Sequence, residues 1–151
     1  MKKKYHEEEF MVDRDIIFAK VSSIQRCLKR IKDVTKGDPE AIEDLNVEEI
    51  VILNLQRAIQ SAVDLAAHIV ADEGWGMPRE LRENFDLISK YKVLDKELTT
   101  RLRKMVGFRN IAVHEYESIN KEILKSILRY NLKDLEEFYM SVLRFYDINE
   151  K

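Results

Sequence analysis

Apolar residues recur at three- and four-residue steps along most of the chain, and no stretch alternates in the manner of a strand. From about Asp13, residues Ile16, Ile17, Ala19, Val21, Ile24, Leu28, Ile31 and Val34 mark one face of an amphipathic helix with an Arg- and Lys-rich outer face. Lys36-Gly37-Asp38-Pro39 predicts its end, with Gly37 as the C-cap. Asn46, followed three residues on by Glu49, predicts the cap of a long second helix to about Glu73. Ile50, Leu53, Leu55, Ala58, Ile59, Ala62, Leu65, Ala66 and Ile69 give that helix its apolar spacing. Gly74-Trp75-Gly76-Met77-Pro78 is the clearest break. Pro78 suits the first turn of a third helix through about Tyr91, with Leu81, Phe85 and Ile88 inward. Asp95 can cap a fourth helix carrying Leu98, Leu102, Met105, Val106, Ile111 and Val113, and Asn120 can start a fifth running past Leu132 to Phe145. The fold expected is all-α, an antiparallel four- to five-helix up-and-down bundle on short connections. Residues 1–9 read as a flexible polar N-terminus, and 1–151 as a single domain with one core.

Composition narrows the function classes. Four Gly and two Pro leave few turns, which agrees with long helices. A net charge of −2 argues against nucleic-acid binding through the global field, so any RNA contact needs a local basic patch or an assembled oligomer. The single Cys27 excludes an internal disulfide framework and fits a reducing cytoplasm. Set beside Leu28 in a helical pattern, it reads as a buried bystander. Met1-Lys2-Lys3-Lys4 opens like a signal peptide, but Glu7, Glu8 and Glu9 follow where an apolar stretch would be needed. No run approaches the ~20 apolar residues of a membrane span.

The chemistry-bearing segment is Arg109-Asn110-Ile111-Ala112-Val113-His114-Glu115-Tyr116. On a regular helix Arg109 and His114 lie roughly 140° apart around the axis, whereas Asn110 and His114 share a face. The three converge if the helix loosens near Val113, or if two chains each contribute one part. A cation, an amide and a titratable imidazole gathered this closely suit chemistry at a phosphodiester; were RNA cut there without a metal, the reaction would need a deprotonated 2′-hydroxyl, a neutralised phosphorane and a protonated leaving oxygen. An imidazole can move protons near neutral pH, and a guanidinium can grip two phosphate oxygens without losing its charge. Asn110 can hydrogen-bond the 2′-hydroxyl, a phosphate oxygen or the imidazole. Neither a metal nor another cofactor is expected.

Other candidates carry weaker signals. Arg101, Arg103 and Lys104 form a basic stretch that either steers RNA phosphates or pairs with nearby acids on a solvated face. Arg26, Lys29, Arg30 and Lys32 read as the outer face of the first helix. His68, four residues from Asp64 and from Asp72, is a poor metal site and reads as a packed or surface histidine. Trp75 between two glycines reads as a loop anchor, and His6 has no assignable role.

The Arg-x4-His-x-Tyr pattern, together with Asn54-Leu55-Gln56-Arg57-Ala58-Ile59, Asp64-Leu65-Ala66-Ala67-His68-Ile69, Met105-Val106-Gly107-Phe108-Arg109-Asn110 and Leu132-Lys133-Asp134-Leu135-Glu136-Glu137-Phe138, resembles the HepT-like toxins of the HEPN superfamily over nearly the whole chain. The resemblance implies a metal-independent RNA endonuclease acting as a homodimer, its two motifs facing each other across a cleft. It implies Arg109 and His114 as the catalytic pair with Asn110 as their polar companion. Tyr116 would be the acceptor of AMP from an MntA-type nucleotidyltransferase antitoxin that neutralises the toxin. The alternative within the same superfamily is a non-catalytic helical adaptor that binds a nucleotidyltransferase partner or a nucleotide.

Overall fold

A computed structural model describes residues 12–148. Among them it contains six α-helices and no strand: α1 (Arg14–Thr35), α2 (Leu45–Glu73), α3 (Glu83–Lys90), α4 (Lys96–His114), α5 (Lys121–Tyr130) and α6 (Leu132–Phe145), with 3₁₀ turns at Pro39–Glu43 and Tyr116–Ser118. The expected polar N-terminus, residues 1–9, lies outside the described residues.

The helix ends follow local chemistry, with corrections to the expected boundaries. Asp13 caps α1 by accepting the amide of Asp15. Lys36, not Gly37, is the C-cap, at φ 53°, and Gly37 continues the left-handed turn at φ 78°. Two successive left-handed residues reverse the chain here, and glycine takes the more strongly positive angle. Asp44, not Asn46, caps α2, because its carboxylate already takes the amides of Asn46 and Val47.

Two larger differences lie downstream. The third helix begins at Glu83, not near Pro78, and Leu81 stays exposed while Phe85 and Ile88 are buried. The intervening chain anchors itself instead. Trp75 stacks on Tyr91 at 4.4 Å and meets Phe145 edge-on, and the Glu83 carboxylate accepts the amide of Arg79. The fifth predicted helix is two helices broken at Asn131 (φ −119°, ψ −5°). Apolar spacing runs unbroken through Ile127, Leu128, Leu132 and Leu135, so periodicity alone is blind to that elbow.

At the centre of the bundle, α2 touches α1, α3, α4 and α6. Its Ala58, Ala62 and Ala66 are wholly buried, and such small side chains let neighbouring helices approach closely. α1 lies antiparallel to α2, with Lys20 opposite Asp64 and the Ser23 hydroxyl 2.8 Å from that of Ser61. Buried apolar side chains from every helix join one cluster, in which Phe85 and Phe138 meet edge to face. Two polar clamps close it. Lys125 on α5 donates to Glu40 and Glu43 of the first 3₁₀ turn at 2.9 and 2.6 Å. The Tyr146 hydroxyl donates to Glu73 at the end of α2, at 2.7 Å.

Candidate active site at the end of α4

Helix α4 carries every residue of the catalytic expectation. Asp95 caps it by accepting the amide of Leu98, and Leu98, Leu102, Met105, Val106, Phe108 and Ala112 bury its inner face. That anchoring fixes where the polar side chains emerge.

In the first half of the helix the two arginines are held by acids. The Arg101 guanidinium donates to Asp134 at 2.9 Å and to Glu137 at 3.0 Å, and Asp134 is fully buried. Arg103 pairs with Asp86. Lys104 is exposed and has no acidic partner among the described residues.

The second half differs. Arg109 is half-buried and donates from Nη1 to Asn110 Oδ1 at 2.9 Å. Its Nε is buried with no acceptor among the described residues, a condition that is rare for a buried donor. Asn110 and His114 are exposed. The helix does not loosen near Val113: it stays regular to His114, and the Glu115 amide donates to Ile111 O at 2.8 Å. Arg109 and Asn110 are therefore brought together, Asn110 and His114 lie one turn apart, and Arg109 and His114 are not joined within one chain.

Apolar surface surrounds this end. Ile111 and Val113, counted in the apolar spacing of this helix, are exposed, as are Tyr116 and Ile123. Beside them a groove of about 550 Å³ opens between α4 and α5, with Met105, Phe108, Ile111, Ile123 and Ile127 in its walls.

Tyr116 begins the 3₁₀ turn directly after α4. Partial desolvation, and then the carboxylates of Glu49 and Glu48 on α2, push its phenol above the ordinary tyrosine range. It is thus a neutral hydroxyl, 44% exposed. Glu48 and Glu49 read from the sequence only as part of a helix start, and nothing local signals that their charge reaches Tyr116.

The remaining candidates are settled by their neighbours. Asp64, which might have joined His68, bonds Lys20 and Gln60 instead, and His68 is exposed. The Cys27 thiol is buried, and desolvation raises its pKa. Among the described residues no helix is long and apolar enough to cross a membrane.

This architecture is similar to that of a solved structure of the tri-AMPylated Shewanella oneidensis HEPN toxin in complex with MNT antitoxin. The TM-score is 0.80 at 37% identity, over 86% of this chain and 98% of that one. The fold is thus that of the HEPN toxins. A family model described as ribonuclease HepT-like matches residues 24–142, and the chain belongs to that family. The mRNA nuclease HepT of Shewanella oneidensis is 38% identical over 82% of this chain and 93% of its own length. The tRNA nuclease HepT of Aphanizomenon flos-aquae is 35% identical over 44% of this chain and 45% of its own length. The protein is a ribonuclease of the toxin–antitoxin class.

Proposed function

We propose that the chain is a metal-independent RNA endonuclease whose site forms when two copies bring their α4 ends together, the whole chain acting as one HEPN domain. One observation carries this reading: Arg109 keeps a buried Nε–H with no acceptor among the described residues, and an exposed His114 lies five positions on, on a helix that stays regular between them. Because a regular helix points the two side chains apart, a second copy is the economical way to set a guanidinium against an imidazole. The exposed Ile111, Val113 and Ile123 offer that copy an apolar seat.

In the cleft, one His114 takes the proton of a ribose 2′-hydroxyl as its oxygen attacks phosphorus. Arg109 holds the charge that builds on the phosphorane, and Asn110 fixes the guanidinium that does so. The bond from phosphorus to the 5′-oxygen breaks, and that oxygen receives a proton from the partner's His114, leaving a 2′,3′-cyclic phosphate. Lys104 is the residue of its basic stretch left free to meet RNA, since Arg101 and Arg103 are held by carboxylates.

Tyr116 serves as the switch. An MntA-type nucleotidyltransferase antitoxin transfers AMP to its phenol, the oxygen attacking the α-phosphate of ATP as pyrophosphate leaves. The new phosphodiester lies two residues from His114, where its charge can pair with Arg109 and exclude substrate phosphate. The cytoplasm, where Cys27 stays reduced, is the setting this implies.

The test is cleavage of labelled total RNA by unmodified protein in excess chelator, beside His114→Ala. Loss of about 10²–10⁴-fold in rate with the variant, and cyclic-phosphate ends with the parent, are expected. Ends bearing a 3′-hydroxyl, or activity abolished by the chelator, would overturn the mechanism.

A further inference from the structure

The basic run of α1 does not behave as one surface. Lys29 pairs with Asp33 along the helix, and Lys32 reaches Glu136 on α6. Arg26 and Arg30 turn the other way, into a cleft of about 450 Å³ between α1 and α2, whose walls also include Ser23, Asn54 and Arg57. The antiparallel register set by Ser23–Ser61 and Lys20–Asp64 carries Cys27 to the level of Arg57, and Arg30 to that of Asn54. The charges of Arg57 and Arg26 are felt at the Cys27 thiol, which agrees with that placement.

None of these three guanidinium groups has a carboxylate partner among the described residues. Arg26 donates to the Ser22 hydroxyl, while Asp33, three residues from Arg30, is paired with Lys29. Three like charges sharing one cleft repel one another until an anion enters. Guanidinium groups suit a phosphate with two oxygens to offer.

We propose that Arg26, Arg30 and Arg57 form a second RNA contact, a cleft that binds the phosphodiester backbone away from the Arg109–His114 motif. Its shape favours a strand over a compact anion, because each helix supplies a stripe at i, i+3, i+4 and i+7: Ser23, Arg26, Cys27 and Arg30 on one side, Ile50, Leu53, Asn54 and Arg57 on the other. Asn54 and Ser23 line the walls but are already engaged, Asn54 donating from Nδ2 to Ile50 O and the Ser23 hydroxyl bonded to that of Ser61, so the arginines carry the phosphate contact, while the exposed Leu53 gives a base an apolar edge to lie against. The cleft is also within reach of the motif. Glu49, whose charge is felt at Tyr116, lies about 12 Å along the α2 axis from Arg57. An RNA strand of a few nucleotides spans that offset. The proposal rests on the ribonuclease reading and adds the path by which a chain of negative net charge holds its substrate.

The experiment measures binding of a labelled single-stranded RNA by full-length protein across a salt series, in the His114→Ala background so that the RNA stays whole. The triple variant Arg26→Gln/Arg30→Gln/Arg57→Gln is compared with Lys29→Gln/Lys32→Gln, whose charges are already paired. The triple variant should lose about tenfold or more in affinity at low salt. The slope of log affinity against log salt should fall by about 2, from roughly 0.7 per lost phosphate contact on a single strand. The lysine control should move far less. Equal loss in both variants, or an unchanged slope in the triple, overturns the cleft. So does RNA binding that survives in the triple variant while capture of a nucleotidyltransferase partner is lost, since the cleft would then be a protein dock. Should the triple variant lose its helical circular dichroism, Arg30→Gln and Arg57→Gln singly, each expected to weaken binding severalfold, decide the same question. RNA bound with full slope by the His114→Ala protein, but never cut by the parent, sinks the nuclease reading while leaving the cleft standing. Cleavage by the parent with an unaffected triple variant does the reverse.

Discussion

The two halves of α4 hold arginines in opposite conditions. Arg101 is gripped by a buried carboxylate and a second, exposed one, whereas Arg109, two turns on, meets only the neighbouring Asn110 and leaves Nε unanswered. The first arrangement stabilises the fold: Asp134 is buried at the start of α6, and without Arg101 and Asn131 its charge would have only the helix end for company. The second leaves Nε unmatched among the described residues, which is destabilising in itself and makes sense where a ligand completes the set. Residue type and helix are the same, so what separates the structural arginine from the one proposed for catalysis is the presence of an acid across the helix interface.

Substitutions can break that contrast. Arg109→Gln should reduce RNA cleavage by about 10²-fold or more while leaving the urea unfolding midpoint in place, as expected where no cross-helix bond is lost. Parallel cleavage rates and denaturation curves would expose the opposite result. Arg101→Met should do the converse, costing about 3 kcal/mol by stripping a buried carboxylate of its cation, with the activity of the folded fraction retained. A variant that unfolds normally but cannot cut RNA would move Arg101 into the site. The smallest effect on cleavage belongs to Tyr116→Phe, which should cut RNA as the parent does yet gain no mass of AMP when incubated with the antitoxin and ATP. Intact mass spectrometry and a cleavage time course check both halves of that statement.

Much of the bundle could be read from the chain because helix information is local. Asp13 and Asp95 cap where the pattern of apolar residues begins, and Ile24, Leu28 and Ile31 fall on the buried side as their spacing requires. The motif was legible for the same reason, since its residues lie within eight consecutive positions. Contacts across helices were not. The demand of Asp134 for Arg101, thirty-three residues back, depends on how α4 and α6 cross, and the basic stretch at Arg101–Lys104 could not be divided without it. Likewise Arg57 joins Arg26 and Arg30 only through the register of α1 against α2. The break at Asn131 escaped because the apolar spacing continues across it, and the exposure of Ile111 and Val113 escaped because an apolar residue carries no label saying whether its partner is in the same chain.

The burial of α2 also has a kinetic face. Its central amides, around Ala58 to Ala66, lie where the core is densest, so their hydrogens should exchange with solvent only when the whole bundle opens. The turn at Tyr116–Ser118 and the last amides of α4 lie at an exposed helix end, where brief local fraying suffices. A partner seated on the motif would slow exchange at that end and barely touch the clock running in α2, so the location of a binding event would be written in which amides slow down.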